Sequence, residues 1–449
     1  MYNSQYLGLV SARMKESQLT RCQVETPHDV VQLVWALISQ KRPNQVFDKV
    51  LDLGAGDGRF SRAAGRYKKY VGIERDKSKA FNAKMPLGAK LIVADAFAWK
   101  GKDFDLCIGN PPYIRHHGLD PAWRDTALQT IIKNGGPALK KTANAFIIFL
   151  AQALIRTNAN GLVAQVIPYE WVTRPSASEL RNFIDANGWS VHVYRFDTNI
   201  FPTVLTTASI TIIDKSTREG KWHFGTITRE GVVTSVDHAS GTPLKVISYK
   251  HGAEKCKALR GLSPGGQEIF VLTEEERLFY SLKKGRDVRP CVTSLRSLEQ
   301  EMALLDKESF ECRFVRTGAR CWLIRSDQDK HSAELSRYLE SVPSAAWERY
   351  STCTDREIWW RYRPHPAPAL LVASGFTQKA PKILVNDVGA VAVGSVYGVL
   401  LADANTTPGM MANRLRAFDF HERLVHHSNG LKKLEVRQLN AVLSELLPD

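Results

Sequence analysis

The chain has few cysteines and no long apolar run, and both absences restrict its class. Its 449 residues include only seven cysteines, an odd and dispersed set without a C-x-x-C pair or the Cys/His spacing of a metal site. We therefore expect no metal centre and a reducing, cytoplasmic compartment. We find no signal peptide and no apolar run of the roughly 18 residues that a membrane helix needs, so we expect no membrane partner.

Acidic residues are scarce relative to basic ones. Lys and Arg number 61 against 46 Asp and Glu, a net charge of +15, and such a balance favours a polyanionic partner. The excess lies mostly before residue 230, where about 31 basic residues accompany about 20 acidic ones. Charge alone does not separate a nucleic-acid enzyme from other basic proteins. The length suits two domains, and the polar, glycine-containing stretch 214–221 predicts a boundary that leaves residues 1–220 and 221–449.

The most informative motif is Asn-Pro-Pro-Tyr at positions 110–113, after a predicted apolar strand. Two prolines stiffen the backbone and remove two amide donors, and the first keeps Asn110 extended. The loop then presents a carboxamide, free backbone carbonyls and an aromatic ring. These groups suit a planar base with an exocyclic amino group, because two oxygens can accept from the –NH2 and the ring can stack. A strand-ending proline turn with a packed tyrosine is the alternative.

A glycine-rich turn lies upstream. The apolar strand 49–53 leads into Gly54-Ala55-Gly56-Asp57-Gly58, and residues 59–64 are predicted to begin a helix. Glycines there allow positive φ and close approach of the backbone to a ligand. The spacing is not the G-x-G-x-x-G of dinucleotide folds, and no P-loop lysine follows, which argues against a nucleoside triphosphate.

Polar residues end four successive predicted strands. Glu74 follows strand 70–73, Asp95 follows strand 90–94, and Asn110 ends the fourth, while Asp52 ends the first. An acid at the end of the second strand can accept from both ribose hydroxyls, although a solvated, helix-capping role would give Glu74 the same sequence. Asp95 can accept from an adenine amino group. Because the carboxyl ends of parallel strands share one rim of the sheet, we expect a ligand site there.

Together these motifs resemble those of the amino-group DNA methyltransferases that use S-adenosylmethionine. The resemblance also covers the segment around Thr26 and Pro27, similar to that family's motif at the methionine end of the cofactor, and strand 161–168. It implies a cofactor site formed by Thr26, Pro27, Asp52, Gly54, Gly56, Glu74, Asp95, Ala96, Phe97 and Asn110. It implies a catalytic loop of Asn110, Pro111, Pro112 and Tyr113, with Phe201 as a second aromatic. A Phe-Pro turn packed in the core would look identical at Phe201.

The order of the motifs along the chain narrows the resemblance to one class of these methyltransferases. The glycine loop precedes the tetrapeptide, and about 15 residues between Asp95 and Asn110 leave no room for a recognition domain, which must then follow residue 213. This order resembles the gamma class, which methylates N6 of adenine, and Asn rather than Ser at position 110 favours adenine over N4 of cytosine. The expected fold is a Rossmann-like α/β methyltransferase domain with a mostly parallel sheet, followed by a mixed α+β target-recognition domain.

The expected function is methyl transfer to a flipped adenine in double-stranded DNA, with S-adenosylhomocysteine as product. We expect a monomer that serves a restriction-modification system, with any cognate endonuclease on a separate chain, since no nuclease pattern is evident. Three alternatives stay open: an RNA adenine methyltransferase, a protein glutamine methyltransferase and a non-catalytic DNA-binding relative.

The C-terminal half is less informative. Strands are predicted over 268–272, 382–385 and 391–393, and a glycine-rich turn over 259–266 resembles a loop of the family's recognition domains. Residues 356–363 interleave arginines with aromatics, a pattern that suits contact with a nucleic-acid backbone and equally a pair of core tryptophans with arginines that reach solvent.

Overall fold

The computed structural model describes residues 25–63, 65–201, 206–238, 246–403, 405–424, 426–428 and 431–447. The chain divides into two compact units, of which the first ends at Val246 and the second begins at Ile247, while residues 426–428 group with the first. This division lies later than the predicted boundary at 220, because two further strands extend the first unit's sheet.

The first unit is built on a nine-stranded sheet with the order β3-β2-β1-β4-β5-β7-β6-β8-β9. Its strands are β1 Phe47–Leu53, β2 Tyr67–Glu74, β3 Ala89–Val93, β4 Phe104–Gly109, β5 Thr157–Pro168, β6 Ser190–Phe196, β7 Ala208–Asp214, β8 Trp222–Ile227 and β9 Val233–His238. Neighbours from β3 to β5 are parallel, and β7 reverses direction between β5 and β6. The buried, apolar strands of its centre are typical of a sheet covered on both faces.

Helices connect the parallel strands. They are α1 His28–Lys41, α2 Lys77–Asn82, α3 Pro121–Lys133, α4 Ala145–Arg156 and α5 Ser178–Ala186, with short 3-10 turns at Arg59–Ser61, His116–Gly118, Tyr169–Val172 and Pro175–Ala177. Helix α4 is buried on nearly every side, as expected of a helix that is apolar all round. The α/β fold predicted for this half is confirmed, and the strands reach one rim with Asp52, Glu74 and Asn110 at or beside their carboxyl ends.

The second unit is a mixed α+β body, as predicted. Its strands are β10 Cys256–Leu259, β11 Val271–Leu272, β12 Val288–Val292, β13 Leu304–Leu305, β14 Trp322–Ile324, β15 Leu370–Ala373, β16 Gly375–Phe376, β17 Ile383–Asn386, β18 Val391–Ala392, β19 Val396–Leu401 and, after β20 His426–Ser428 of the first unit, β21 Leu431–Lys433. Two sheets carry most of them, with the orders β10-β19-β15-β17-β13 and β11-β14-β12-β18.

Short helices pack around these sheets. They are α6 Gln267–Phe270, α7 Glu274–Phe279, α8 Lys307–Phe310, α9 Ala333–Ser341, α10 Ser344–Trp347, α11 Ser351–Thr354, α12 Pro408–Ala417, α13 Phe420–Arg423 and α14 Val436–Leu446, and a π-helical turn spans Glu311–Val315. Two apolar clusters form the core of the unit, one around β12 and β14 and the other around β15, β19 and α14.

Some local predictions were wrong. Residues 268–270 belong to α6 rather than to a strand, since the amides of Ile269 and Phe270 both bond to the carbonyl of Gly266 and close a helical turn; only Val271 and Leu272 pair as strand. The helix predicted from residue 59 is a single 3-10 turn over Arg59–Ser61. Strands β17 and β18 confirm the predictions near 382–385 and 391–393.

Within the described ranges, no helix is both long and apolar enough to cross a membrane. The same residues contain no grouping of three His, Cys, Asp or Glu side chains that could hold a metal ion. The six cysteines among them carry free thiols.

Candidate active site

The glycine loop after β1 is held close to the end of β2. Gly54 and Gly56 have φ of 79° and 57°, the left-handed region that glycine adopts without strain. The amides of Gly54 and Ala55 donate to the carbonyl of Ile73 at 2.9 and 3.0 Å, and the amide of Gly56 donates to Glu74 Oε2 at 2.8 Å. The loop therefore has one fixed course across the rim of the sheet.

Glu74 is only 8% exposed, which does not fit a solvated acid. Its Oε1 accepts from the amide of Asp76 at 2.7 Å, and its Oε2 accepts from Gly56 as described. A carboxylate has about four acceptor positions, so two remain after these backbone bonds. Two positions on one carboxylate match the two hydroxyls of a ribose.

Asp95 lies at the rim beyond β3 and is half-buried. Its Oδ1 accepts from the amides of Phe97 at 2.8 Å and Ala98 at 3.3 Å, and its Oδ2 accepts from the indole Nε1 of Trp123 at 2.8 Å. Three donors fix the carboxylate plane and leave about one further acceptor position. A single N–H of an amino group fits that remaining capacity.

Aromatic rings enclose this corner of the site. Phe97 is buried and meets Trp123 edge-on, with ring centroids 5.3 Å apart, and meets Phe149 in the same way at 5.2 Å. Ala96 is also buried, and its carbonyl accepts from Gln152 Nε2 at 3.2 Å. The predicted wall at Phe97 is thus part of a three-ring cluster, which gives an apolar boundary beside Asp95.

The Asn-Pro-Pro-Tyr loop begins where β4 ends. The Asn110 carboxamide donates from Nδ2 to the hydroxyl of the buried Thr26 at 3.0 Å. Because the amide nitrogen makes this bond, the plane of the carboxamide is fixed. Nδ2 is then the atom that faces Thr26, and Oδ1 is not. Pro27, next to Thr26, is the residue that precedes α1. The structure therefore brings the predicted Thr26 and Asn110 together.

Tyr113 is fixed at both ends. Its hydroxyl donates to the carbonyl of Val166 at 2.9 Å, and its ring meets Phe146 and Phe201 edge-on at 6.2 and 5.9 Å. Burial raises the pKa of the phenol well above its ordinary value, so the hydroxyl stays protonated. The ring itself is half-buried, which leaves part of it for contact with a ligand.

Phe201 has no exposed surface and belongs to the core cluster beneath the sheet. Its ring is packed against that of Tyr113. A role for Phe201 as a second wall for a base stays a prediction.

Asp52 is the most perturbed acid of the rim. It is 1% exposed, and burial raises the pKa of its carboxyl to about 7 although the hydroxyl of Tyr70, 2.5 Å from Oδ2, opposes the shift. Its Oδ1 is buried and has no hydrogen-bond partner among the described residues. A Cβ on Gly109 would lie 2.3 Å from that oxygen, so the glycine before Asn110 makes room for the acid.

These features fit an S-adenosylmethionine site. Asp52 offers a buried carboxylate oxygen with unused acceptor capacity, Glu74 offers two acceptor positions, and Asp95 offers one. A Cβ built on Gly56 meets no atom within 4 Å, so the loop faces open space rather than packed side chains. This set of acceptors suits an amine, a diol and an amino-purine, which are the hydrogen-bond donors of that molecule.

Sequence reasoning missed two residues of the site. Trp123 orients Asp95 from α3, a contact over 28 positions that no local pattern reveals. Arg59 bonds the carbonyl of Thr26, and its guanidinium also bonds Asp57 and Glu25 at 2.8 Å each. Arg59 thus ties the segment before α1 to the glycine loop.

The sheet order, the glycine loop and the proline-rich loop define a class: a methyltransferase of the S-adenosylmethionine-dependent fold. Residues 62–201 match the Eco57I restriction-modification methylase family, and residues 248–419 match the C-terminal domain of the type II methyltransferase M.Eco57I. The first range includes Glu74 and the whole Asn-Pro-Pro-Tyr loop, and the second begins next to the division between the two units. Both halves of the chain thus match domains of restriction-modification methyltransferases.

Two individual type II methyltransferases are similar to this chain over most of its length. The type II methyltransferase M.AccI of Acinetobacter calcoaceticus is 21% identical over 88% of this chain and 81% of its own. M.XamI of Xanthomonas campestris pv. amaranthicola is 24% identical over 84% and 75%.

Among solved structures, the DrdV–DNA complex is similar in fold, with a TM-score of 0.50 at 11% identity over 84% of this chain and 48% of that one. A type I methyltransferase subunit from Streptococcus thermophilus has a TM-score of 0.38 at 20% identity over 45% of this chain and 47% of that one. In both comparisons the matched region covers about half of the length of the solved structure.

Proposed function

We propose that this protein methylates N6 of adenine in double-stranded DNA at a specific site, with S-adenosylmethionine as methyl donor, as the modification enzyme of a restriction-modification system. The observation that carries the proposal is the fixed carboxamide of Asn110, oriented by Thr26 next to a glycine loop with three cofactor-suited acids. The two relatives at 21% and 24% identity carry the name type II methyltransferase, and DrdV, similar in fold, was solved with DNA.

The target base has to leave the helix, because its amino group cannot be reached inside a duplex. In the loop, Asn110 Oδ1 and the Pro111 carbonyl accept the two N–H groups of the adenine N6. These bonds draw the nitrogen lone pair out of conjugation with the ring and toward the incoming methyl group. Tyr113 stacks on the base, a contact worth about 1–3 kcal/mol, and Pro112 keeps the loop stiff.

S-adenosylmethionine, when bound, would supply an activated methyl group, with S-adenosylhomocysteine as the product. Glu74 would hold the ribose hydroxyls, Asp95 and Phe97 the adenine end, and Thr26, Pro27 and Asp52 the methionine end. Placement of the amine in line with the methyl group provides much of the rate. The nitrogen becomes acidic once it is methylated, so its proton leaves to solvent without a strong base from the chain.

The choice of adenine rests on two features. The motif order leaves the recognition domain to the C-terminal half, as in the gamma class, and position 110 is Asn rather than Ser. We assign target recognition to the second unit, and we propose that the enzyme acts as a monomer on DNA in the prokaryotic cytoplasm, with any cognate endonuclease separate. Light scattering at the mass of 50.3 kDa tests the monomer.

The experiment is transfer of labelled methyl groups from S-adenosylmethionine to duplex DNA, duplex RNA and a protein extract, with nucleoside analysis of the product. We expect N6-methyladenine in DNA alone. Asn110→Ala should keep cofactor binding within about twofold and lose turnover by at least about a thousandfold, since it removes one of two groups that activate the amine. Label in RNA or in protein glutamine, or turnover retained by Asn110→Ala, would refute the proposal.

A further inference from the structure

Residues 356–363 combine packed aromatic rings with outward-facing arginines. The rings of Trp359 and Trp360 pack against the core of the second unit, and Tyr362 is buried. Arg361 and Arg363 are exposed, and Arg361 pairs with Asp329 at 3.0 Å. The aromatics therefore anchor the segment, while Arg363 carries a charge for which no described residue supplies an ion pair.

A second arginine of this region has N–H groups without an acceptor. Arg289 lies on β12, and its Nε and Nη2 are buried without a hydrogen-bond partner among the described residues. Tyr362 shares a side-chain hydrogen bond with this guanidinium, and the Tyr362 hydroxyl also donates to the carbonyl of Ile324 at 2.7 Å and reaches Asp327 at 3.1 Å. Burying guanidinium N–H groups without acceptors is costly, so such a site calls for an anion.

Two more basic side chains, His365 and Arg260, lie in the same region as Arg289 and Arg363. Burial lowers the pKa of the His365 imidazole, and its electrostatic interactions with Arg289 and Arg363 lower it further. His365 also lines a small concavity of about 200 Å³ with Arg260, Pro366, Pro368 and Gly398. Arg260, Arg289, Arg363 and His365 thus form one group, here called the basic cluster, in which Asp327 is the acid nearest to Tyr362.

We propose that the basic cluster binds a phosphate group, and specifically one backbone phosphate of the duplex that the enzyme modifies. This rests on the proposed function. Guanidinium groups match the oxygens of a phosphate in charge and geometry, and the unused N–H groups of Arg289 supply two donors. Among the sources of phosphate, duplex DNA fits best, since the chain is a restriction-modification methyltransferase with a net charge of +15.

The test measures duplex binding over a range of salt concentrations for the full-length protein and for Arg289→Gln and Arg363→Gln. Each neutralised phosphate contributes about 0.9 to the slope of log K against log salt. We expect both variants to weaken binding to target and non-target duplexes alike, by roughly tenfold at low salt, and to reduce the slope by about one. Arg289→Lys should retain most of the affinity, because it keeps the charge.

Arg313→Gln is the matched control, since Arg313 is an exposed arginine of the same unit but is paired with Glu299 at 2.7 Å. It should bind as the unaltered protein does. Inorganic phosphate is the second probe: if Arg289→Gln and Arg363→Gln abolish a thermal stabilisation by phosphate but leave duplex affinity and slope unchanged, the site takes free phosphate and the DNA assignment is overturned.

The two proposals fail in different ways. If the unaltered protein binds and methylates duplex DNA while both variants keep its slope, the phosphate site is refuted and the function stands. If the unaltered protein neither binds nor methylates duplex DNA, the proposed function is refuted. The assignment of the basic cluster to a DNA phosphate is then refuted as well. Because Arg363 is exposed, its variant keeps the test valid even where Arg289→Gln does not fold.

Discussion

At the residue scale, the orientation of Asn110 depends on a side chain 84 positions away. Nδ2 of Asn110 bonds the hydroxyl of Thr26, and Thr26 is itself held through its carbonyl by Arg59. A carboxamide without this bond could rotate and exchange its donor and acceptor ends. The pair therefore decides which end of Asn110 meets a substrate amine.

The first prediction concerns this bond. Thr26→Val keeps the side-chain shape but removes the hydroxyl, and a net hydrogen bond is worth about 1 kcal/mol. We expect kcat for DNA methylation to fall about five- to tenfold, with cofactor Kd changed by less, as measured by labelled transfer and calorimetry. Thr126→Val on the exposed face of α3, whose hydroxyl only bonds its own helix, is the control. An unchanged kcat would show that Thr26 does not orient Asn110.

The second prediction follows from the raised pKa of Asp52. An unfolded Asp ionises near 3.8, whereas folded Asp52 ionises at about 7, so between these values the folded state holds one more proton than the unfolded state. The free energy of unfolding therefore falls as pH rises from about 4 to about 7, by roughly 4 kcal/mol. Below pH 4 this contribution to stability is fully present.

Asp52→Asn cannot ionise and keeps an acceptor for Tyr70. We expect its Tm to exceed that of the unaltered protein by an amount that grows from pH 5 to pH 7 and then levels off, in scanning calorimetry across pH 5–9. A Tm difference independent of pH would mean that Asp52 is already ionised throughout this range.

At the scale of elements, α3 connects the catalytic loop to the cofactor corner. The helix begins eight positions after Tyr113, where Asp120 caps it by accepting from the amide of Trp123 at 2.8 Å and Pro121 takes its first position. This start places Trp123 in the first turn, from which its indole reaches Asp95. A displacement of the helix would therefore change the carboxylate that we assign to the cofactor's adenine.

The third prediction tests this connection. Trp123→Phe keeps an aromatic ring against Phe97 but removes the N–H that fixes Asp95. We expect the Kd for S-adenosylmethionine to rise about five- to tenfold, as one hydrogen bond to a charged group is lost, while kcat at saturating cofactor changes less. Calorimetry measures the first and labelled transfer the second. Trp347→Phe in the second unit is the control. An equal change in the Kd of both variants would show that Trp123 has no specific role in cofactor binding.

Elements of the site's rim were predictable because each signal is local. The parallel strands have short apolar runs, and each ends at, or within two residues of, a polar residue or glycine. The contacts of Trp123 and Arg59 were not predictable, since they join segments 28 and 33 positions apart. Phe201 was ambiguous from sequence, and the structure adds that its ring is buried and contacts Tyr113.

The predicted domain boundary illustrates a different limit. Residues 214–221 are polar, yet Asp214 accepts from Arg42 at 2.5 Å, and the ammonium of Lys215 is buried against the carbonyls of Leu154 and Thr157 at 2.8 and 2.6 Å. The stretch is therefore a hydrogen-bonded turn between β7 and β8 rather than a linker. Composition cannot distinguish solvated polar residues from internally bonded ones.

At the scale of the whole molecule, an excess of positive charge accompanies the site that we propose for a neutral base. The net charge of +15 does not select a sequence, because phosphate contacts position a protein on DNA while base contacts specify the site. The effects of the two features should therefore be separable. The affinity for DNA should depend on the excess positive charge, and turnover should depend on the Asn-Pro-Pro-Tyr loop.

The fourth prediction separates them. Because phosphate neutralisation releases counterions, log K for duplex DNA should fall linearly with log salt, with a slope of several units if several phosphates are contacted. Asn110→Ala carries the same charge, so its slope should equal that of the unaltered protein although its turnover is lost. Fluorescence anisotropy from about 50 to 200 mM salt measures both proteins. A slope near zero would show that the positive charges of the protein do not contact DNA phosphates. A changed slope in Asn110→Ala would show that Asn110 contributes to binding of the DNA backbone rather than to methyl transfer.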